Sequence, residues 1–279
     1  MPSDTKRITG PETVTPYHYY LPDFDVKPDV LDPQTGQRKN NRAPIDHRPI
    51  FLKTGVIAPA KGSAYIEYED TKVICSVFDP REIPNKSEFS PMGELYCEFK
   101  FAPFSCIKRR GHMRDAEEKE LSFSLRRALE PAVCRHEFPN FQVDIYVLVL
   151  DSDGSDLAAA ITCASLALAD ASVPMYDLVT AVSMGVCDNL LFLDPTNSEE
   201  KLCRTISSSQ SGDRQAIITL TYMSTLEQIT EFTISGTISV ELLEEKIPTL
   251  IKHCNAIYPL LQKCLVRNVM KSQEKKKLS

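Results

Sequence analysis

The sequence predicts an α+β architecture, mixed sheets with helices packed against them, on three grounds. Strand-length apolar runs recur along the chain, and other stretches carry apolar residues at helical spacing. The elements follow one another as several strands, helix, strand, helix, several strands, helix. With 279 residues, 42% hydrophobic and 25% charged, the chain can bury a sizeable core as one large domain or two small ones. The two halves share a strands-then-helix rhythm without any repeat at solenoid periods.

Residues 1–44 hold seven prolines and little periodicity, which reads as an arm, extended along a partner or partly disordered. Order begins near Arg48-Pro49, within a domain spanning 45–270. GSAYIEYE (62–69) alternates Ala64, Ile66 and Tyr68 against Tyr65 and Glu67, a half-buried strand. TKVICSVF (71–78) is β-branched and apolar, so Glu69-Asp70 turns a hairpin, without the glycine a tight loop prefers. A proline-rich loop (80–93) leads to a third alternating strand, LYCEFKFAPF (95–104).

CIKRRGHMRD (106–115) is a basic loop before a helix over 116–134. Leu121, Leu125, Ala128, Leu129 and Ala132 form its apolar stripe, with acids early and Arg126-Arg127 late, as the macrodipole favours. VDIYVLVL (143–150) is apolar almost throughout, the pattern of a central strand covered on both faces. A helix over 155–173, with seven alanines between 158 and 171, packs closely on that sheet. LVTAVSMGV (178–186) and LLFL (190–193) are strands, and AIITLTYM (216–223) with ITEFTISG (229–236) makes a hairpin. The last helix runs from Ser239 to about 270, its inner stripe Val240, Leu243, Ile247, Leu250, Ile251 and Cys254. Pro248 and Pro259 should bend or split it. KSQEKKKLS (271–279) closes the chain as a basic, solubilising or disordered tail.

Bulk properties narrow the function classes. A net charge of −6 argues against a free-standing nucleic-acid binder, though not against a subunit whose partners supply basic surface. Nine cysteines without a Cys-x-x-Cys pair read as reduced core residues. The five histidines lack ligand spacing, so no metal or other cofactor is expected. No apolar run is long enough to span a bilayer, and an intracellular, membrane-free protein is expected.

One stretch carries chemistry. In VLDSDGSDLAAAITCASLALADA (149–171) a strand ends and a Gly154-Ser155 turn opens a helix, which aims backbone N–H groups at one spot, a seat for phosphate. Asp151, Asp153 and Asp156 crowd that spot with negative charge. The plainer reading is a capped helix, with Ser155 or Asp153 as cap and Asp156 favouring the dipole.

RPIFLKTGVIAPAKGSAYIEYEDTKVICSV (48–77) resembles the opening signature of the RNase PH family of phosphate-dependent exoribonucleases, through Arg48, Gly55, Ala60, Gly62-Ser63-Ala64 and Thr71-Lys72-Val73. The resemblance continues through ELSFSLRRALEPAV (120–133), LDSDGSDLAAAITCASLALADASVPMYDLV (150–179) and Leu191–Pro195, covering roughly 45–270. It implies two related βαβα halves with mixed sheets and packed helices, and a place in the six-membered ring of the RNA exosome core. Partners would be other RNase PH-like subunits, RNA-binding cap proteins and, weakly, RNA in the channel. Nucleus, nucleolus and cytoplasm are the compartments implied.

The resemblance also locates the chemistry. Active members carry arginine where this chain has Asp156, and an arginine pair where it has Ala116 and Glu117. Asp194 matches the first metal-binding aspartate, and Glu200 stands where the second would be. At ~4 Å and an effective dielectric of ~20, like charges repel by about 4 kcal/mol, against ~0.3–1 kcal/mol from a helix dipole. A phosphate beside an ionised Asp156 is therefore rejected, and a catalytically silent subunit follows. Two alternatives stay open: an active exoribonuclease using Asp194 and Glu200, and a free RNA-binding module. Lys108, Arg109, Arg110 and Arg114 are candidate RNA contacts, and a merely solvated loop explains them equally well.

Overall fold

The computed structural model describes Arg38 and residues 42–83, 89–107, 109–111, 113, 115–187, 190–204 and 215–278. Residues 1–37 of the arm therefore lie outside the described residues. The first sheet contains Ile50–Thr54 (β1), Gly62–Tyr68 (β2), Thr71–Val77 (β3), Arg81–Glu82 (β4), Glu94–Phe101 (β5) and Phe141–Asp151 (β6). Its order is β1-β2-β3-β6-β4, with β5 parallel to β6. The second sheet is antiparallel, in the order β10-β9-β7-β8, from Val179–Cys187 (β7), Leu190–Leu193 (β8), Gln215–Met223 (β9) and Gln228–Thr237 (β10). With four helices against these sheets, the α+β expectation holds.

The helix Asp156–Asp170 (α2) packs on β2 and β3 of the first sheet and on β7 of the second. Every residue from Ala158 to Leu168 is buried. A helix apolar all round belongs in a core, and alanine's small side chain lets both sheets approach it. Gly62 shows how close that approach is: a Cβ there would lie 2.2 Å from the Ala171 backbone nitrogen. Ala116–Leu129 (α1) covers β5, with Leu125, Ala128 and Leu129 fully buried.

Several expectations need correction. α1 stops at Leu129 rather than 134, because Pro131 falls within the next turn and the chain tightens into a 3₁₀ turn over Glu130–Ala132. β6 is covered on one face only: Val143, Ile145, Val147 and Val149 are buried, while Tyr146, Leu148 and Leu150 alternate with them half-exposed. The final helix, Val240–Leu278 (α4), is one element despite Pro248 and Pro259. Leu250, Cys254, Ile257 and Leu261 are buried at helical spacing, and that packing offsets the backbone bonds lost at the prolines. α4 also continues through 271–278, where a separate tail was expected; Lys, Glu and Gln are good helix formers.

The arm, too, is anchored at its end. Arg38 is buried, donating to the Leu193 carbonyl at 2.8 Å and pairing with Glu199 at 2.8 Å. Glu199 belongs to a short helix, Asn197–Arg204 (α3). It is buried because Arg38 reaches it from outside the helix.

Candidate functional site

The centre of the site is the junction of β6 and α2. Gly154 takes φ +87°, and a Cβ there would sit 2.5 Å from the Pro195 carbonyl oxygen, so glycine meets both a conformational and a steric requirement. Ser155 follows at φ +56°, in the left-handed region, and its side chain makes no capping bond. The expected Ser155 cap is therefore absent; its hydroxyl donates to the Pro195 carbonyl at 3.2 Å. Asp153 does not cap either. Its carboxylate lies 3.6 Å from the Arg48 guanidinium, and burial pushes its proton affinity up.

Arg48 holds this junction together. Its Nε donates to Asp194 Oδ2 at 2.8 Å and one terminal nitrogen donates to Asp194 Oδ1 at 2.7 Å. The remaining donors reach Thr71 Oγ1 and the carbonyls of Asp153 and Gly154, each at 3.1 Å. The pair is almost fully enclosed, with side-chain exposures of 0% and 1%. Burial alone would raise the Asp194 carboxyl; the Arg48 bonds and His47 reverse that and hold it well below the usual range. Asp194, at the position of the family's first metal-binding aspartate, is the counter-ion of a structural arginine.

Glu200 approaches the same junction from α3. Its Oε1 accepts from the Ser155 backbone N–H at 2.7 Å, and its Oε2 accepts from Arg204 at 3.0 Å. The carboxylate thus occupies an amide at the mouth of α2, where an anion would bind. Asp194 and Glu200, the pair the active-enzyme alternative would use, each bond to groups of the chain itself. Among the described residues, no group of three or more His, Cys, Asp or Glu side chains is arranged to hold a metal ion.

Asp156 departs from expectation most. Its Oδ2 accepts from Ser152 Oγ at 2.7 Å, while Oδ1 is buried without a partner. Burial, opposed by the Ser152 bond and reinforced by Glu200, pushes the carboxyl up to about 7. The charge-reversal expectation treated Asp156 as a full anion, and at neutral pH it is only partly ionised. The other acids at this spot are Glu200, whose carboxyl burial also pushes up, and those of the cavity walls. The cavity here, about 220 Å³, is lined by Glu117, Glu120, Asp156 and Glu200, with Arg204 as its one cationic lining residue among the described residues.

Ala116 opens α1, and Glu117 follows with its carboxylate 2.9 Å from Arg110. Arg110 is committed within the chain: it also donates to Cys106 Sγ at 3.2 Å and lies 3.9 Å over the Phe101 ring. Arg109 is exposed. Lys108 and Arg114, as well as His112, lie outside the described residues. Sequence reasoning missed the roles of Arg48 and Arg38, since a single arginine beside an irregular segment leaves no periodic signal.

Residues 46–174 match the sequence family described as the 3′ exoribonuclease family, domain 1, of RNase PH. The chain is 35% identical to the human exosome complex component MTR3 over 283 residues, covering 96% of each. It is 33% identical to the fission yeast (Schizosaccharomyces pombe) exosome complex component mtr3, over 98% of this chain and 99% of that protein. The Archaeoglobus fulgidus exosome structure with RNA bound to its active site superposes with TM-score 0.69 at 20% identity, over 80% of this chain and 92% of that one. That last likeness is one of fold.

Proposed function

The chain belongs to the RNase PH family, and from that membership together with the site's geometry we propose that it is a catalytically silent ring subunit of the RNA exosome core. It pairs with other RNase PH-like subunits, supports RNA-binding cap proteins and helps line an RNA path. The similarity to MTR3 proteins over nearly their whole length supports the assembly role.

One observation carries the silence: the Ser155 N–H at the mouth of α2 is taken by the chain's own Glu200 carboxylate at 2.7 Å. A second anion there meets Glu200, the partly ionised Asp156 and the cavity's other acids. The arginines that would grip phosphate and RNA are replaced by Asp156, Ala116 and Glu117.

Surfaces suited to assembly are present. β10 is an edge strand of the second sheet with Ile229 and Ile234 exposed, and α4 exposes Val266, Val269 and Met270. Native mass spectrometry of the tagged protein from cells tests the assembly role. The expected mass is that of a multi-subunit complex of RNase PH-like chains; a monomer alone would refute it.

A further inference from the structure

A second concavity shares no lining residue with the cavity at α2. It is a groove of about 720 Å³ between β1 and the Leu260–Lys271 turns of α4. We propose that this groove is a docking site for an extended acidic peptide segment of a partner protein, which adds a strand to the free edge of β1. The proposal stands independently of catalytic silence at α2.

Two features of the groove point the same way. β1 ends the order of the first sheet, so among the described residues it has a strand partner on one side only. Gly55 N–H donates to Ser63 O at 2.9 Å, and in an antiparallel ladder bonded and non-bonded positions alternate. Phe51 and Lys53 therefore bond toward β2, leaving the backbone groups of Leu52 and Thr54 directed at the outer edge. Thr54, 8% exposed, lies against Cys264 of α4, so the open stretch of the outer edge is Ile50–Leu52, and these residues line the groove. An unpaired edge offers alternating donors and acceptors, which an extended peptide satisfies and a polynucleotide backbone does not.

The second feature is charge. Lys53, Lys263, Arg267 and Lys271 line the groove, no acid does, and all four cations are exposed. Among the described residues none of the four forms an ion pair. Asp170, the nearby acid, accepts from the Ser63 N–H at 3.1 Å and from Asn268 at 2.8 Å. Lys263, Arg267 and Lys271 recur every four residues along one helix face, about 6 Å apart. Same-face side chains of an extended strand recur every ~6.6 Å, so alternate carboxylates meet successive cations. Phe51, 53% exposed, and Leu260, 39% exposed, supply apolar contact for the residues between. A chain with net charge −6 that gathers four unpaired cations on one groove has a complementary site for an acidic ligand.

The test is fluorescence anisotropy of the full chain with a labelled peptide of about eight residues, alternating Glu and Val. Binding is expected, with at least a tenfold loss for the Lys263→Glu/Arg267→Glu variant, whose solvent-exposed changes leave the circular dichroism spectrum unchanged. A peptide N-methylated at alternate amides keeps its charge but cannot pair with a strand, and it should lose tenfold or more. Equal binding of the methylated peptide would overturn strand addition, and absence of peptide binding would overturn the site. Tighter binding of a single-stranded oligouridylate than of the peptide would reassign the groove to RNA.

Discussion

Replacing Arg48 with methionine removes a guanidinium whose side chain is 0% exposed and leaves Asp194, 1% exposed, with only His47 at 3.3 Å and Arg42 at 3.9 Å as cationic neighbours. Both carboxylate oxygens lose a bond of 2.7–2.8 Å, and Thr71 Oγ1 and the carbonyls of Asp153 and Gly154 lose theirs. Breaking one side of a buried pair costs about 3–5 kcal/mol, a large share of a typical stability of 5–15 kcal/mol. Equilibrium unfolding in urea should show that loss as a lower midpoint at similar slope. The double variant Arg48→Met/Asp194→Leu should recover part of it, because the Asp194 charge is no longer stranded.

Proton linkage adds a second readout. The folded-state affinity of Asp194 is depressed, so its contribution is present above the ordinary carboxylate value of about 4 and is lost as pH falls below it. Arg48→Met should therefore cost most near neutral pH and little in strong acid. A loss under about 1 kcal/mol at pH 7, or one independent of pH, would refute the clamp.

Asp156→Asn should stabilise the chain by about 4 kcal/mol at pH 8 and leave it nearly unchanged near pH 4. The folded carboxyl titrates near 7 and the unfolded one near 4, so the wild type loses stability as pH rises between those values. Thermal melts at the two pH values check this. Gly62→Ala should cost roughly 2 kcal/mol or more by urea unfolding, since its Cβ meets the Ala171 backbone at 2.2 Å rather than a flexible side chain. Asp156→Arg should not create phosphorolysis in a nucleoside diphosphate release assay, because Ala116 and Glu117 lack their cations and Glu200 still holds the Ser155 amide.

The periodic elements were legible because burial imposes a period. The alternation of Ala64, Ile66 and Tyr68 marked β2, and the alanine run marked α2 as a core helix. Coverage of β6 was misread: Tyr146 and Leu148 are apolar on an open face, and composition alone cannot distinguish that from a face under a helix. Of the two outcomes expected at Pro248 and Pro259, a bend or a split, the split is absent because tertiary packing along α4 decides.

At the site, the glycine turn and the acids around it were visible in sequence. Their charge states were not, since Asp156 is buried by elements distant in the chain and Glu200 approaches from α3. Arg48 and Asp194 are separated by 146 residues, and no spacing rule connects them.

Phosphorolysis itself is the most direct test of the central claim. The full-length chain, given Mg²⁺, inorganic phosphate and a 5′-labelled RNA with a free 3′ end, should leave the RNA intact and release no nucleoside diphosphate. Phosphate-dependent shortening that disappears in Glu200→Gln would contradict the account.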